Sequence, residues 1–310
     1  MKIVEYNDVD PYEVMYLNQL ALNFTLTPEK VAHILKSDPR PFPCLAIYAV
    51  EDNIIMGQVG IFRLPMVSNE GREDVGGIWA VSTHPQYAGR GVASTLIAEA
   101  HARMQKAGLR FSTLGTDRFR VSYKLYRQMG YEETNVWATA FARWETAHQP
   151  TRLEAQPLGG KGYDLVEQIY AEVAQDYLGF AWRHSPFERL RRLNPADIWM
   201  FEENNTIVGY AITESNNSIL TIANIVLRLG VDITEAVSAV LAELKSSYIQ
   251  VRVSRPEETI KLKHAGYFIA YPNWSSFMIK PLAPEISISE AMKHFGVGTN
   301  RFLISWLDVT

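Results

Sequence analysis

Val81-Ser82-Thr83-His84-Pro85-Gln86-Tyr87-Ala88-Gly89-Arg90-Gly91-Val92-Ala93-Ser94 joins an apolar, β-rich run to a helical one. Upstream, Val75 to Thr83 reads as a strand that ends at His84-Pro85. Downstream, Gly91 to Ala107 has helical periodicity, with Val92, Leu96, Ile97, Ala100 and Met104 on one face and Glu99, Arg103 and Lys106 off it. Gly108 closes that helix as a C-cap. A loop between strand and helix presents unpaired backbone N–H groups and the positive helix end to an anion, and glycines let backbone approach a phosphate closely. An ordinary glycine-containing turn has the same outline, and Gly89 and Gly91 complete neither the dinucleotide fingerprint nor a P-loop. The elements around the loop have to decide between the two.

Before the loop, Lys2 to Asn7 reads as a strand, Pro11 to Phe24 and Pro28 to Lys36 as helices with proline in the first turn, and Cys44 to Val50 and Ile54 to Leu64 as a hairpin split at Glu51-Asp52-Asn53. After it come a buried strand, Phe111 to Thr116, a helix from Arg120 to Met129 stopped by Gly130, and one long alternating strand from Glu132 to Trp144. The order β, α, α, β, β, β, α, β, α, β predicts an α/β unit on a mixed sheet. Turn residues concentrate between Thr146 and Tyr163, so 149–163 reads as a linker. Beyond it the order recurs: helices over Leu165 to Leu178 and Pro186 to Leu193, a hairpin around Asn204-Asn205, a strand from Ile219 to Leu227, a helix from Ile233 to Lys245, a strand from Tyr248 to Ser254, a helix from Glu257 to His264 and a strand-rich stretch to Lys280. Met129-Gly130-Tyr131 aligns with Ala265-Gly266-Tyr267, a weak internal repeat. The chain therefore reads as two tandem α/β units, 1–148 and 164–283, and a tail, 284–310, with a short helix and a last strand.

Composition agrees with that plan. A length of 310 residues gives room for two domains, and 47% hydrophobic with 21% charged residues is an ordinary soluble balance. Lys and Arg total 30 against 34 Asp and Glu, a formal charge of 30 − 34 = −4, divided as 15 basic and 16 acidic over 1–150 and 15 and 18 over 151–310. Neither half carries the basic excess of a general nucleic-acid binder. Cys44 is the single cysteine, which excludes an intrachain disulfide and a cysteine zinc cage and points to a reducing compartment, the cytoplasm. Met1 to Asp8 lacks the pattern of a signal peptide, and no apolar run approaches the ~18 residues of a membrane span. His33, His101, His148, His184, His264 and His294 show no metal-ligand spacing, so no metal is expected.

Two motifs, in order and on the right elements, lift the loop above an ordinary turn. Ala88-Gly89-Arg90-Gly91-Val92-Ala93 and Leu125-Tyr126-Arg127-Gln128-Met129-Gly130-Tyr131 resemble the two signatures of the GNAT family of acyl-CoA-dependent N-acetyltransferases. The family's loop reads Gln/Arg-x-x-Gly-x-Gly/Ala, matched at Gly91 and Ala93, and its second signature is a helix with a tyrosine ahead of a Gly-aromatic turn. The resemblance covers residues 1 to about 145 and is an echo over 164–282. It implies tandem GNAT-like domains, the second degenerate, with acetyl-CoA as co-substrate. The amides of Arg90, Gly91, Val92 and Ala93 would hold the pyrophosphate in a loop begun by Ala88 and Gly89, Ser94 would add a hydroxyl, and Val81 and Thr83 would pair with the pantetheine arm. Tyr126 would protonate the departing thiolate, a role a phenol fills well. Three positions depart from the family: Ala88 stands for its usual Gln or Arg, Phe119 for a frequent Asn, and the strand carboxylate of many members falls at Val75.

The attacking amine must also lose a proton. Glu73, which shares strand parity with Val75, and His84, at the loop entrance, are candidate bases that equally read as solvated surface groups. The apolar tail Phe302 to Thr310 predicts a docked edge strand; if it reached the site, as in larger tandem relatives, the Thr310 carboxylate or Asp308 would be a third candidate. In the second half, a single glycine before the helix and Leu262 opposite Tyr126 predict a unit that binds no CoA and shapes the acceptor pocket. The expected activity is acetyl transfer to a primary amine of a small molecule or peptide by a monomer or homodimer, without nucleic-acid or membrane partners. The alternative is a non-catalytic acyl-CoA-binding sensor or interaction protein.

Overall fold

Turn and cap chemistry divides the chain much as the alternation of residues suggests. The structure, a computed structural model, describes residues 1–134, 136–270 and 275–309. The first half forms β1 (Lys2–Glu5), β2 (Pro41–Glu51), β3 (Ile54–Ser68), β4 (Gly71–Thr83), β5 (Phe111–Asp117), β6 (Glu132–Glu133) and β7 (Ala138–Arg143), with helices α1 (Pro11–Leu22), α2 (Pro28–Ser37), α3 (Val92–Lys106), α4 (Val121–Gln128) and α5 (Trp144–Ala147). The second half forms β8 (Glu154–Pro157), β9 (Leu178–Gly179), β10 (Ile198–Glu203), β11 (Thr206–Asn216), β12 (Ile219–Leu227), β13 (Tyr248–Val253), β14 (Phe268–Ala270), β15 (Ser275–Pro281) and β16 (Phe302–Leu303), with α6 (Tyr163–Val173), α7 (Glu188–Arg191), α8 (Ile233–Glu243), α9 (Pro256–His264) and α10 (Ile288–His294). Asp10 and Thr27 accept N–H bonds at the starts of α1 and α2, each followed by a proline at the first helical position. Asp52 and Asn53 both take positive φ, the backbone a tight hairpin between β2 and β3 requires.

The strands build two mixed sheets. The first runs β1-β2-β3-β4-β5-β15-β6 with β9 and β16 attached, and the second runs β14-β7-β13-β12-β11-β10-β8. The halves of the chain exchange a strand. β15, from the second half, inserts between β5 and β6, and β7, from the first half, inserts between β13 and β14. The single strand expected over Glu132 to Trp144 is thus two strands in two sheets. Its alternation survives in β7, where Ala138, Ala140 and Ala142 are buried in the core of the second sheet, while Val136 and Trp137 remain in a core with Phe277 of β15.

Two further expectations are corrected. The stretch 149–163 is not free linker, since Glu154–Pro157 pair with β10 as an edge strand held by the buried Leu153 and Leu158. The tail is a strand only at Phe302–Leu303, parallel to β9; Ile304 to Val309 leave the sheet yet stay largely buried. The cause is Asp308, whose carboxylate accepts from Arg183 Nε at 2.6 Å and Nη2 at 3.0 Å and from the Ser305 N–H at 2.9 Å, folding the tail into a turn.

α3 lays its expected face, Val92, Leu96, Ile97, Ala100 and Met104, against the first sheet. The approach is close. A Cβ at Gly76 of β4 would stand 2.3 Å from Met104 Sδ, so the helix can sit over that strand only where the side chain is absent.

Candidate active site

β4 and β5 pair in parallel only at Gly76↔Ser112 and Gly77↔Thr113, and then part. A bulge starts the separation: Gln58↔Ser82 and Gly60↔Trp79 leave two residues of β4 opposite one of β3, and Ala80 there takes φ 48°. β5 instead keeps its ladder with β15 as far as Ser275↔Asp117. A cavity of about 330 Å³ opens in the gap, lined by residues of both strands, by Arg120, Ser122 and Tyr126 of the α4 region, and by Val309 of the tail. In open α/β sheets this position, beyond the carboxyl ends of parallel strands, is where ligands bind.

The glycine loop lies at the end of β4. Gly89 and Gly91 have φ 76° and 77°, the left-handed region that side chains disfavour. A Cβ on Gly91 would meet only Ser94 Oγ, at 3.6 Å, so the glycine is required by backbone conformation and not by packing. The Gly91 carbonyl accepts from Ser94 Oγ at 2.8 Å, Thr95 Oγ1 at 3.0 Å and the Thr95 N–H at 3.0 Å. Among the described residues the N–H groups of Gly91, Val92 and Ala93 have no acceptor, and no side chain caps α3. Fifteen residues of helix stand behind them and place partial positive charge at the loop. Ser94 is half-buried, and its hydroxyl donates to the cap carbonyl.

Tyr126 is brought to the cavity by α4. It is 6% exposed, and burial pushes its phenol up to about 12, which keeps it protonated at neutral pH. Tyr131, five residues on, is the structural tyrosine of the pair: its hydroxyl meets Ser112 Oγ at 2.5 Å and His101 Nε2 at 2.8 Å. Tyr126 stands edge-on to it, ring centroids 6.1 Å apart, outside that network, and lines the cleft.

The candidate bases are not gathered there. Glu73 lies five residues before Ile78 on β4, roughly 16 Å at ~3.3 Å per residue, and is bonded to Arg110 at 3.0 Å and to His294. His84 accepts the Gln86 N–H at 3.3 Å and does not line the cavity. Asp308 is committed to Arg183. Thr310 lies outside the described residues, but Val309 before it does line the cavity. Val81 also lines it; Thr83, two residues on, sits at the end of β4 paired with Gly57.

The cleft also holds groups that no sequence motif marks. Asp117 is its one carboxylate among the described residues, with Oδ1 accepting the Phe119 N–H at 2.8 Å. Its place at the carboxyl end of a parallel strand was the available signal. Trp79 packs against Phe62, ring centroids 5.1 Å apart, and fills the space over Gly60, where a Cβ would lie 1.9 Å from its Nε1.

Residues 9–134 match the acetyltransferase (GNAT) domain model. No curated protein matches the chain by sequence. In fold, the chain is similar to a conserved protein of unknown function from Enterococcus faecalis V583, a probable N-acyltransferase, at 16% identity and TM-score 0.73 over 91% of this chain and 72% of that one. It is similar also to a GCN5-related N-acetyltransferase from Anabaena variabilis ATCC 29413, at 16% identity and TM-score 0.69 over 94% and 74%. Eis1 from Mycobacterium abscessus follows at 13% identity and TM-score 0.60 over 92% and 75%. At these identities the likeness concerns the fold, a mixed α/β architecture with GNAT-like neighbours over most of the chain. Among the described residues no helix is long and apolar enough to cross a membrane, and no three His, Cys, Asp or Glu side chains cluster as a metal site.

Proposed function

We propose that the chain is an acetyl-CoA-dependent N-acetyltransferase acting on a primary amine of a small molecule or peptide, with the transfer site in 1–148 and a degenerate GNAT-like unit in 164–283. The observation that carries it is the cavity between strands that part after Gly77 and Thr113, lined by the protonated, buried Tyr126, with the uncapped start of α3 following in the chain from β4, one of the two parted strands. The residues fit the coenzyme. The N–H groups of Gly91, Val92 and Ala93 would receive the pyrophosphate, and the unpaired edge of β4 around Val81 would receive the amide-bearing arm. Acetyl-CoA, when bound, supplies the activated acyl group.

Asp117, which lines the cleft, would take the amine's proton, directly or through a water, and Tyr126 would give its own to the leaving sulfur. A phenol held near 12 donates only once negative charge develops beside it, so its contribution falls in the transition state. The buried, unpaired Cys44 suits the cytoplasm as the compartment of action.

Tyr126→Phe should lower kcat by ~10² to 10⁴-fold with acetyl-CoA affinity unchanged, measured as CoA release with a panel of primary amines. Because the acid stays protonated until pH approaches its raised pKa, the wild-type rate should not decline on its account between pH 7 and 10. An alkaline fall centred below 10, or a wild-type kcat in the variant, would return Tyr126 to the core. One observation favours the sensor reading instead: Phe119 is 87% exposed and its N–H already occupies Asp117. Acetyl-CoA binding without turnover of any amine would establish that reading.

A further inference from the structure

The second sheet repeats the parting of strands. β12 and β13 pair in parallel from Ile219↔Tyr248 to Ile222↔Val251 and then separate, again beside a bulge, since Ile212↔Asn224 and Thr213↔Ile222 leave Ala223 unmatched. A cavity of about 280 Å³ opens between them. Its surroundings are wrong for a coenzyme. The helix start that would meet a pyrophosphate, that of α8, is capped by the Asp232 carboxylate, which accepts the Thr234 N–H at 2.8 Å and would repel a phosphate. The position of the tyrosine is the buried Leu262.

Two polar atoms in the lining of this cavity are unpaired. Asn224 is 6% exposed, and its Oδ1 has no hydrogen-bond partner among the described residues; the same holds for the indole Nε1 of Trp306. Buried polar atoms are ordinarily satisfied, so an acceptor and a donor left open on one cavity point to something that enters it. Charge narrows what that is. Glu258 is paired with Arg255, and Glu214 with Arg252 at 3.6 Å, so the carboxylates of the lining are both paired and its two orphan atoms are one acceptor and one donor. Polyamines and phosphorylated compounds are poorly matched to it. An amide group, with one N–H and one C=O, is well matched. Val309 lines both this cavity and the transfer cleft, so the two are neighbours.

We propose that this cavity is the acceptor subsite of the acetyltransferase and selects an amide-bearing amine such as a short peptide. An amide N–H of the acceptor donates to Asn224 Oδ1 and an amide carbonyl accepts from Trp306 Nε1, while the amine extends past Val309 to the cleft of Asp117 and Tyr126. The assignment rests on the acetyltransferase reading and refines it.

The test uses the full chain saturated with coenzyme A, which fills the first cleft, and titrates trialanine, free pantetheine, 1-aminoheptane and spermidine. Trialanine should bind, move the Trp306 indole N–H resonance, and bind at least tenfold more weakly to Asn224→Leu and to Trp306→Phe, while 1-aminoheptane binds all three proteins alike and spermidine none. Unchanged coenzyme affinity shows that the variants are folded. The wild-type resonance keeps the test decisive if a variant is not. An unmoved Trp306 resonance with trialanine, equal trialanine affinity in all three proteins, or preference for pantetheine over trialanine would overturn the subsite. Failure of acetyl-CoA to bind the wild type would overturn the acetyltransferase reading instead.

Discussion

Beside the first gap, lined by a buried tyrosine, β4 leads through two glycines of positive φ into an uncapped helix start, whereas beside the second β12 leads through a single glycine, Gly230, into a helix start closed by Asp232, and Leu262 takes the tyrosine's position in sequence. Both gaps arise in the same way, from a short parallel ladder beside a bulge. The fold therefore supplies a cleft twice, and a handful of side chains at its rim decides what each cleft can hold. The two Gly-Tyr turns differ in the same sense. Tyr131 is hydrogen-bonded to Ser112 and His101, while Tyr267 buries a hydroxyl with no partner among the described residues.

The exchange of β7 and β15 ties the two clefts together, and cutting the chain is the strongest way to break the comparison. A fragment of residues 1–148 lacks the strand that pairs with all of β5, and a fragment of 149–310 lacks the strand that separates β13 from β14. Neither fragment alone should show a cooperative thermal transition by calorimetry. A sharp transition in either one would mean that the exchanged strand is dispensable. Smaller effects sharpen the contrast between the turns. Tyr131→Phe should cost about 1 to 3 kcal/mol in denaturant unfolding, because it leaves buried Ser112 and His101 short of a partner. Tyr267→Phe removes only an orphaned hydroxyl and should change stability by less than about 0.5 kcal/mol, or raise it slightly. Equal costs would show that Tyr267 has a partner after all.

Much of this was legible in the residues. The periodicity of Val92 to Met104, the glycines at 89 and 91 and the tyrosine helix predict the first cleft, because each reports a local backbone state or a helix face. Pairing partners are not local. The alternation Ala138, Ala140, Ala142 fits either sheet equally well, so the exchange cannot be read from it. Strand parity likewise fixes the face on which Glu73 stands but not its depth along β4, and depth is what separates it from the cleft. The turn at Ser305 to Asp308 depends on an arginine 125 residues away in the chain, beyond the reach of any pattern in the tail.

One cleft is expected to bind acetyl-CoA and its counterpart is not. Calorimetric titration of acetyl-CoA into the intact protein and into Gly91→Glu tests it most directly, since that side chain would put a negative charge where the free N–H groups of α3 face the loop. One site per chain is expected in the wild type and none in the variant, with cooperative unfolding retained. Two sites per chain, or a single site that survives Gly91→Glu, would contradict it.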